Sequence, residues 1–562
     1  MPLGTLPCPA AYPQGLNGAM SSATTLTFLG ATGSVTGSKF LLTVGQRRVL
    51  IDAGAFQGER ELRRRNWEPF PIDPSLLTDV VLTHAHLDHC GYLPALVRNG
   101  FHGPVWATAA TTRLAEIVLR DAAHLQERDA LDAAEGGWSK HNPPKPLYDT
   151  ADVEATLPLL TAVDYDRDLD LGDGLWARFT RAGHILGSAS VRIETPTTSV
   201  LFSGDLGRHD HPVLRPRDLP PGAAYVLVES TYGDREHPEP RELPHEGLAD
   251  VIRRTVARGG SVLVPAFAVD RTEVGLKTLA DMRRHGRIPR VPIVVNSPMA
   301  LDALAAYRDN ASELRTDLHL AEVLGDVTEL RTADDSRAFT ESRHGPTIII
   351  SSSGMATGGR VLHHLARLLP DPRNAVVLTG YQSPGTRGRA LVEGATRLKM
   401  HGQYVGVRAE ILHDKEFSVH ADASDLIDWL GALRPAPATV FCVHGEPDSA
   451  AALAGRIERE LRLDAVVPRL DEVVALAART PPVRSDTVVD ASDGYAVPGA
   501  TLPGRPGSDP AASDRPPVVV PVVTVGGIPV EGIHVETDLR PRQLDDRTVV
   551  LEGTITIRVD QG

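Results

Sequence analysis

Within six residues, His84-Ala85-His86-Leu87-Asp88-His89, the chain sets three imidazoles and a carboxylate. Neither a core nor an ordinary surface turn has use for that density of ligating side chains, whereas a divalent metal does. Imidazole suits zinc and similar ions, and a carboxylate lets a second ion sit close to the first, so the cluster reads as half of a two-metal site. The apolar run Val80-Val81-Leu82 just before it predicts a strand, and residues 93–98 just after it predict a helix. A strand that delivers ligands into a loop ahead of a helix belongs to a layered α/β protein.

At 562 residues the chain exceeds what one hydrophobic core supports, so two or three domains are expected. Residues 24–232 alternate short apolar strands with turns, and several strands end on a polar residue. Residues 244–392 change rhythm to helix, strand, helix, strand, which predicts a doubly wound parallel sheet. After about residue 409 the first style returns, so the second α/β unit reads as an insertion at 233–410, with the first domain resuming over 411–474. Residues 1–23 read as a disordered leader, with Met20 as an alternative start. Residues 475–517 read as a linker, rich in Pro and Gly towards its end, and 518–562 as a small β-rich appendage without evident chemistry.

Further candidates stand at strand ends. His184 lies in Ala182-Gly183-His184, Asp205 ends Phe202-Ser203-Gly204-Asp205, and His444 ends Phe441-Cys442-Val443-His444. A glycine before Asp205 allows close backbone approach. Taken in this order, with Asp52 closing Val49-Leu50-Ile51-Asp52, Glu229 in Glu229-Ser230-Thr231-Tyr232-Gly233 and His420 in Ser418-Val419-His420-Ala421-Asp422, the motifs over residues 24–462 resemble the β-CASP family of metallo-β-lactamase-fold RNA-processing nucleases. The resemblance implies an αββα sandwich with an inserted β-CASP α/β domain, a parallel sheet flanked by helices. It implies two Zn2+ per chain: one on His84, His86 and His184, the other on Asp88, His89 and His444, bridged by Asp205, with Asp52 orienting the site. Drug-hydrolysing relatives commonly carry cysteine at the position of Asp205, so the carboxylate favours phosphodiester or thioester chemistry. DNA-repair members usually lack the histidine that matches His444, so its presence favours RNA.

The implied activity is zinc-dependent hydrolysis of single-stranded RNA, endonucleolytic, with Asp205 and Asp52 at the metals and His420, oriented by Glu229, as general acid. Arg271, Ser353, Gly354, Gly359, Arg360 and Arg387 lie in insert motifs that resemble the family's and are candidates for gripping phosphate. Asp270 stands where a glycine is expected before Arg271. A 5′-3′ exoribonuclease, a small thioester or lactone hydrolase and a non-catalytic scaffold are the alternatives. The net charge of −14 argues against a generally basic surface, so RNA must be held locally. Three cysteines fit a reducing cytoplasm, no apolar stretch predicts a membrane span, and a homodimer is left open.

Overall fold

The structure, a computed structural model, describes residues 24–136, 144–237, 243–342, 344–478, 533–545 and 548–559. The expected leader and nearly all of the expected linker lie outside those residues. The chain divides into two compact units near residue 484. In the second, the described residues form an antiparallel hairpin of Ile533–Asp545 with Thr548–Val559. Among the described residues no helix is long and apolar enough to cross a membrane.

Two seven-stranded sheets build the body of the first unit. One runs Val473–Leu476, Thr24–Phe28, Phe40–Val44, Arg47–Ile51, Asp79–Val81, Val105–Thr108 and Leu160–Val163 in spatial order. The other runs Asp464–Val466, Thr439–Val443, Tyr225–Glu229, Ser199–Phe202, Ala189–Glu194, Leu175–Arg181 and Asp168–Gly172. The central strands, among them Asp79–Val81, Ser199–Phe202 and Tyr225–Glu229, are buried almost throughout because both faces of each sheet are covered there, whereas the edge strands Asp168–Gly172 and Asp464–Val466 carry exposed aspartates. In Arg47–Ile51, Val49 and Ile51 join the core between the sheets with Phe28, Phe179, Phe202 and Phe441, while Leu50 turns to the outer core. That outer core is closed by Leu93–Arg98 and by the 28-residue helix Ala109–Gly136. The long helix buries the pairs Ala110/Thr111, Leu114/Ala115, Val118/Leu119 and Ala122/Ala123 at four-residue spacing, a stripe of the right width for a sheet face. Helices Ala423–Ala432 and Pro447–Arg456 cover the second sheet. The result is the expected αββα sandwich.

The inserted sheet is parallel throughout, in the order Val327–Glu329, Ile293–Val295, Ile348–Ser351, Val262–Pro265, Ala375–Thr379 and Glu410–Asp414. Its last strand corrects the expected boundary at 410. Residues 410–414 pair with Ala375–Thr379 in the inserted sheet, so the insert ends beyond them. Likewise the body closes at Val473–Leu476, which pairs with Thr24–Phe28, two residues past the expected end at 474.

Strand direction gathers the polar strand ends. Ser199–Phe202, Tyr225–Glu229 and Thr439–Val443 are parallel neighbours, so Asp205 and His444, just past their strands, and Glu229, the last residue of its own, stand at one edge. Leu175–Arg181 runs the same way through its antiparallel neighbour, which brings His184 to that edge too. On the facing sheet, Arg47–Ile51 and Asp79–Val81 are parallel and deliver Asp52 and the His84 to His89 cluster.

Candidate metal centre

All seven residues expected to hold metal converge, in two groups. His84, His86, His184 and Asp205 form one, and Asp88, His89 and His444 the other. His86 Nδ1 lies 3.1 Å from His84 Nε2 and 3.3 Å from His184 Nε2. Asp205 Oδ2 faces that trio, 3.7 Å from His84 Nε2 and 3.6 Å from His184 Nε2. Its other oxygen, Oδ1, faces the second trio, 3.3 Å from His89 Nε2 and 3.5 Å from His444 Nε2. Asp88 Oδ2 is 3.9 Å from His444 Nε2. Metal–nitrogen bonds of about 2.0–2.1 Å at tetrahedral angles would set neighbouring ligand atoms about 3.3 Å apart, so these spacings of 3.1–3.9 Å fit the edges of a coordination polyhedron.

Electrostatics agrees with that fit. Asp205 Oδ1 is buried without a hydrogen-bond partner, an arrangement that costs energy unless a cation sits beside it. Burial lowers the pKa of His84, His86 and His184, which keeps their imidazoles neutral, the form that binds metal. For His89 burial pulls the same way, but the carboxylates of Asp205 and Asp52 outweigh it and raise the pKa, as expected where negative charge awaits a positive partner.

A supporting shell fixes these rings. Asp52 sits just past its strand at a left-handed φ of 58°, and this turn aims its carboxylate back into the site. Its Oδ1 accepts from the Thr83 backbone N–H at 2.8 Å, and its Oδ2 lies 2.7 Å from His89 Nδ1. Thr83 Oγ1 is 3.1 Å from His84 Nδ1, and Ser38 Oγ is 2.9 Å from His444 Nδ1. Ser38 and Thr83 went unseen in the sequence, because lone hydroxyls carry no spacing signal. Gly204 has a φ of 58°, and a Cβ there would stand 2.9 Å from Thr83 Cβ, so the close approach inferred for it is present.

His420 lies at the rim, its ring 4.4 Å from that of His184. Its Nδ1 is 3.3 Å from Glu229, which is fully buried and also accepts from the Leu206 N–H at 2.7 Å. Burial would lower the His420 pKa, but Glu229, with help from Asp205, raises it. His420, His86, His184, Asp205 and His444 line a cavity of about 160 Å³, roofed by residues 267–271 of the insert.

The sequence matches the metallo-beta-lactamase superfamily over residues 35–252, the Beta-Casp domain over 276–391 and the Zn-dependent metallo-hydrolase RNA specificity domain over 404–468. It is 40% identical over 434 residues to Ribonuclease TTHA0252 of Thermus thermophilus, spanning 75% of this chain and 94% of that one. The chain belongs to the β-CASP family of metallo-β-lactamase-fold RNA nucleases. It is also 30% identical over 482 residues to the transcription termination factor FttA of Pyrococcus horikoshii, 80% of this chain and 71% of that one. An RNase J-like protein of Methanocaldococcus jannaschii is 29% identical over 425 residues, 75% and 92% of the two chains. As a β-CASP protein the chain is a metal-dependent hydrolase acting on RNA.

The insert motifs of this β-CASP nuclease divide on inspection. Arg271 lines the cavity, 8% exposed, with Nε and Nη1 unpartnered in the protein. Its guanidinium lies over Gly380, where a Cβ would stand in ordinary van der Waals contact, 3.5 Å from the guanidinium carbon. Asp270, in the glycine-like position, adopts a φ of 69°. Its carboxylate accepts from the Tyr307 hydroxyl at 3.1 Å and lies 3.2 Å from His211 Nε2, contacts that offset the backbone cost. Arg360 differs from expectation: it does not line the cavity, and its guanidinium donates to Asn296 Oδ1 and to the carbonyls of Leu330 and Arg331. Arg387 is similarly committed to the carbonyls of Lys399, Ala356 and Thr357, although it lines a neighbouring cleft. Ser353 bonds Thr357, Gly354 lets Phe267 pack against the backbone, and Gly359 supplies a φ of 78° ahead of the helix Arg360–Leu368. None of the three lines the cavity. Arginine's five donors fit carbonyl clamps as readily as phosphates, so sequence cannot tell the two uses apart. Cys90 and Cys442 are buried free thiols, their pKa values raised by burial, and neither touches the chemistry.

Proposed function

We propose that this nuclease holds two zinc ions and cleaves single-stranded RNA internally. Asp205 carries the reading: its two oxygens face two separate ligand trios, which is what a bridging carboxylate requires. His84, His86 and His184 would hold one ion and Asp88, His89 and His444 the other, an imidazole-rich donor set that suits zinc. Bound ions supply Lewis acidity and a water acidified to near-neutral pKa. Asp52 holds His89 through Nδ1, and Thr83 and Ser38 hold His84 and His444, so each ring keeps its other nitrogen for the site.

Arg271 has donors free for the non-bridging phosphate oxygens and offers them beside the ligand trios. Glu229 holds His420 at Nδ1 and favours its protonated form, leaving Nε2 to give a proton to the departing ribose oxygen. The narrow cavity under the insert suits one strand and not a stiff duplex. A neighbouring cleft of about 1230 Å³ shares the lining residues Gln57, Leu87 and Met355 with it, room for a strand to run on beside the reacting phosphate, as internal cleavage needs.

Metal analysis with matched RNA and DNA oligonucleotides tests this reading. About two zincs per chain, cleavage of RNA over DNA, and loss of both one zinc and cleavage in His444→Ala support it. Thioester hydrolysis without RNA cleavage, or a purified protein without zinc, would overturn it.

A further inference from the structure

Three of the metal-facing rings are steadied through their outer nitrogen, His84 by Thr83, His89 by Asp52 and His444 by Ser38. His184 is not: its Nδ1 is buried without a hydrogen-bond partner, so the ring depends on the backbone of its own loop. Arg271, which lines the same cavity, is in a similar position. With Nε and Nη1 unpartnered, its guanidinium is aimed by the turn that precedes the helix Arg271–Arg284.

That turn is tight. The Arg271 N–H closes on the Val269 carbonyl at 2.9 Å around Asp270, whose φ of 69° and ψ of −51° are those of a γ-turn that residues other than glycine rarely adopt. The Asp270 side chain holds it in place. His211 Nε2, from the body, faces Asp270 Oδ1 at 3.2 Å. Because His211 Nδ1 accepts from the N–H groups of Val213 and Leu214, at 3.1 and 3.0 Å, the ring turns its protonated nitrogen to the carboxylate.

Tyr307, in the insert helix Pro298–Asp309, donates to the same Asp270 oxygen at 3.1 Å. Its hydroxyl also accepts from the Leu186 N–H at 3.2 Å, and Leu186 lies two residues past His184 in the body. The adjoining Gly187 N–H donates to the Glu313 carboxylate of the insert at 3.2 Å, so the His184 loop rests on the insert at two points. Backbone stitches the two domains around them: the Arg215 N–H bonds the Glu313 carbonyl and the Arg315 N–H bonds the Val213 carbonyl, both at 3.0 Å. Tyr307 is fully buried. Burial, then the charge of Asp270, raises its pKa well above the usual phenol value, so the hydroxyl keeps the proton it donates.

We propose that Tyr307 is a positioning residue: its one hydroxyl steadies the loop of the metal ligand His184 and, through Asp270, the turn that aims Arg271, so the insert fixes metal ligand and phosphate ligand relative to each other. This rests on the reading above in which His184 holds zinc and Arg271 grips phosphate. It also explains why a strained aspartate stands where glycine would be easier: only a side chain can reach Tyr307.

Tyr307→Phe removes the hydroxyl and keeps the packed ring. With zinc in excess it should lower kcat/KM on single-stranded RNA about tenfold, the weight of one hydrogen bond to a buried charge. In an Arg271→Ala background the same change should cost less than about twofold, because the group it acts through is gone. Chelator competition, read as zinc per chain, should release one of the two ions about tenfold more readily than from wild type. Asp270→Gly separates the two arms. Glycine takes the φ of 69° freely and leaves Tyr307 bonded to Leu186, so cleavage should fall as in Tyr307→Phe while zinc affinity stays that of wild type. Equal losses from Tyr307→Phe in both backgrounds would overturn the proposal, as would full cleavage by Asp270→Gly or a zinc affinity unmoved by Tyr307→Phe. If Arg271→Ala itself cleaves like wild type, the fault lies in the phosphate grip assigned above, and the coupling falls with it.

Discussion

Asp52→Asn changes one atom of the metal site's support and spares the backbone, because asparagine tolerates the left-handed φ of 58° found there. The amide oxygen keeps the Thr83 N–H, now 2.8 Å from Oδ1, and the new NH2 then meets His89 Nδ1, which lies 2.7 Å from Oδ2. That nitrogen must become an acceptor, so the ring proton moves to Nε2. Nε2 is the atom 3.3 Å from Asp205 Oδ1, facing the second trio, and a protonated nitrogen cannot bind metal. Loss of such a partner costs roughly 10–100-fold in metal affinity, or about 1.4–2.8 kcal/mol. Competition with a graded chelator, counting zinc per chain by mass spectrometry, should show one of two ions released early and the other held as in wild type. RNA cleavage should recover when zinc is added back. Wild-type affinity for both ions would refute the tautomer argument. So would joint release of both with a matching drop in the stability of the metal-free protein, which would make Asp52 a folding residue.

Three other outcomes follow from the same geometry. His420→Ala should cut RNA cleavage by about a hundred- to ten-thousandfold while zinc stays near two per chain, and loss of zinc would contradict its role as acid. Gly204→Ala places a methyl group 2.9 Å from Thr83 Cβ at a φ of 58°. It should destabilise by about 2–3 kcal/mol in denaturant melts, and an unchanged midpoint would mean the turn relaxes freely. Lys39 is buried 4.2 Å from the Phe56 ring and donates to the carbonyls of Gly37 and Gly54; burial, then the charge of Arg65, lowers its pKa from 10.5 to about 7. Between those values the unfolded chain holds the proton and the folded chain does not, so this group adds stability as pH rises. Relative to Lys39→Met, wild type should therefore gain stability from about pH 7 towards pH 10, and parallel curves would contradict the shift.

Metal chemistry made the centre legible. Few residue types can ligate zinc, they must cluster, and in a layered fold they stand at strand ends, so His84 to His89, His184, Asp205 and His444 announced themselves. The supports did not: Ser38 and Thr83 act through single hydroxyls that resemble those of any strand end. Arg360 and Arg387 looked like phosphate ligands and turned out to clamp backbone carbonyls. The long helix Ala109–Gly136 was missed because its buried stripe includes several alanines and threonines, a weak apolar signal. Residues 411–414 read as part of the body because so short a strand cannot show which sheet it will join.

Internal cleavage by a carboxylate-bridged pair of zincs is decided by incubating single-stranded RNA, distinctly labelled at each end, with wild type and Asp205→Ala after metal analysis of both. Wild type carrying about two zincs should yield internal fragments, and the variant, depleted in zinc, should leave the RNA intact. Release of 5′ mononucleotides, or equal cleavage by Asp205→Ala, would contradict it.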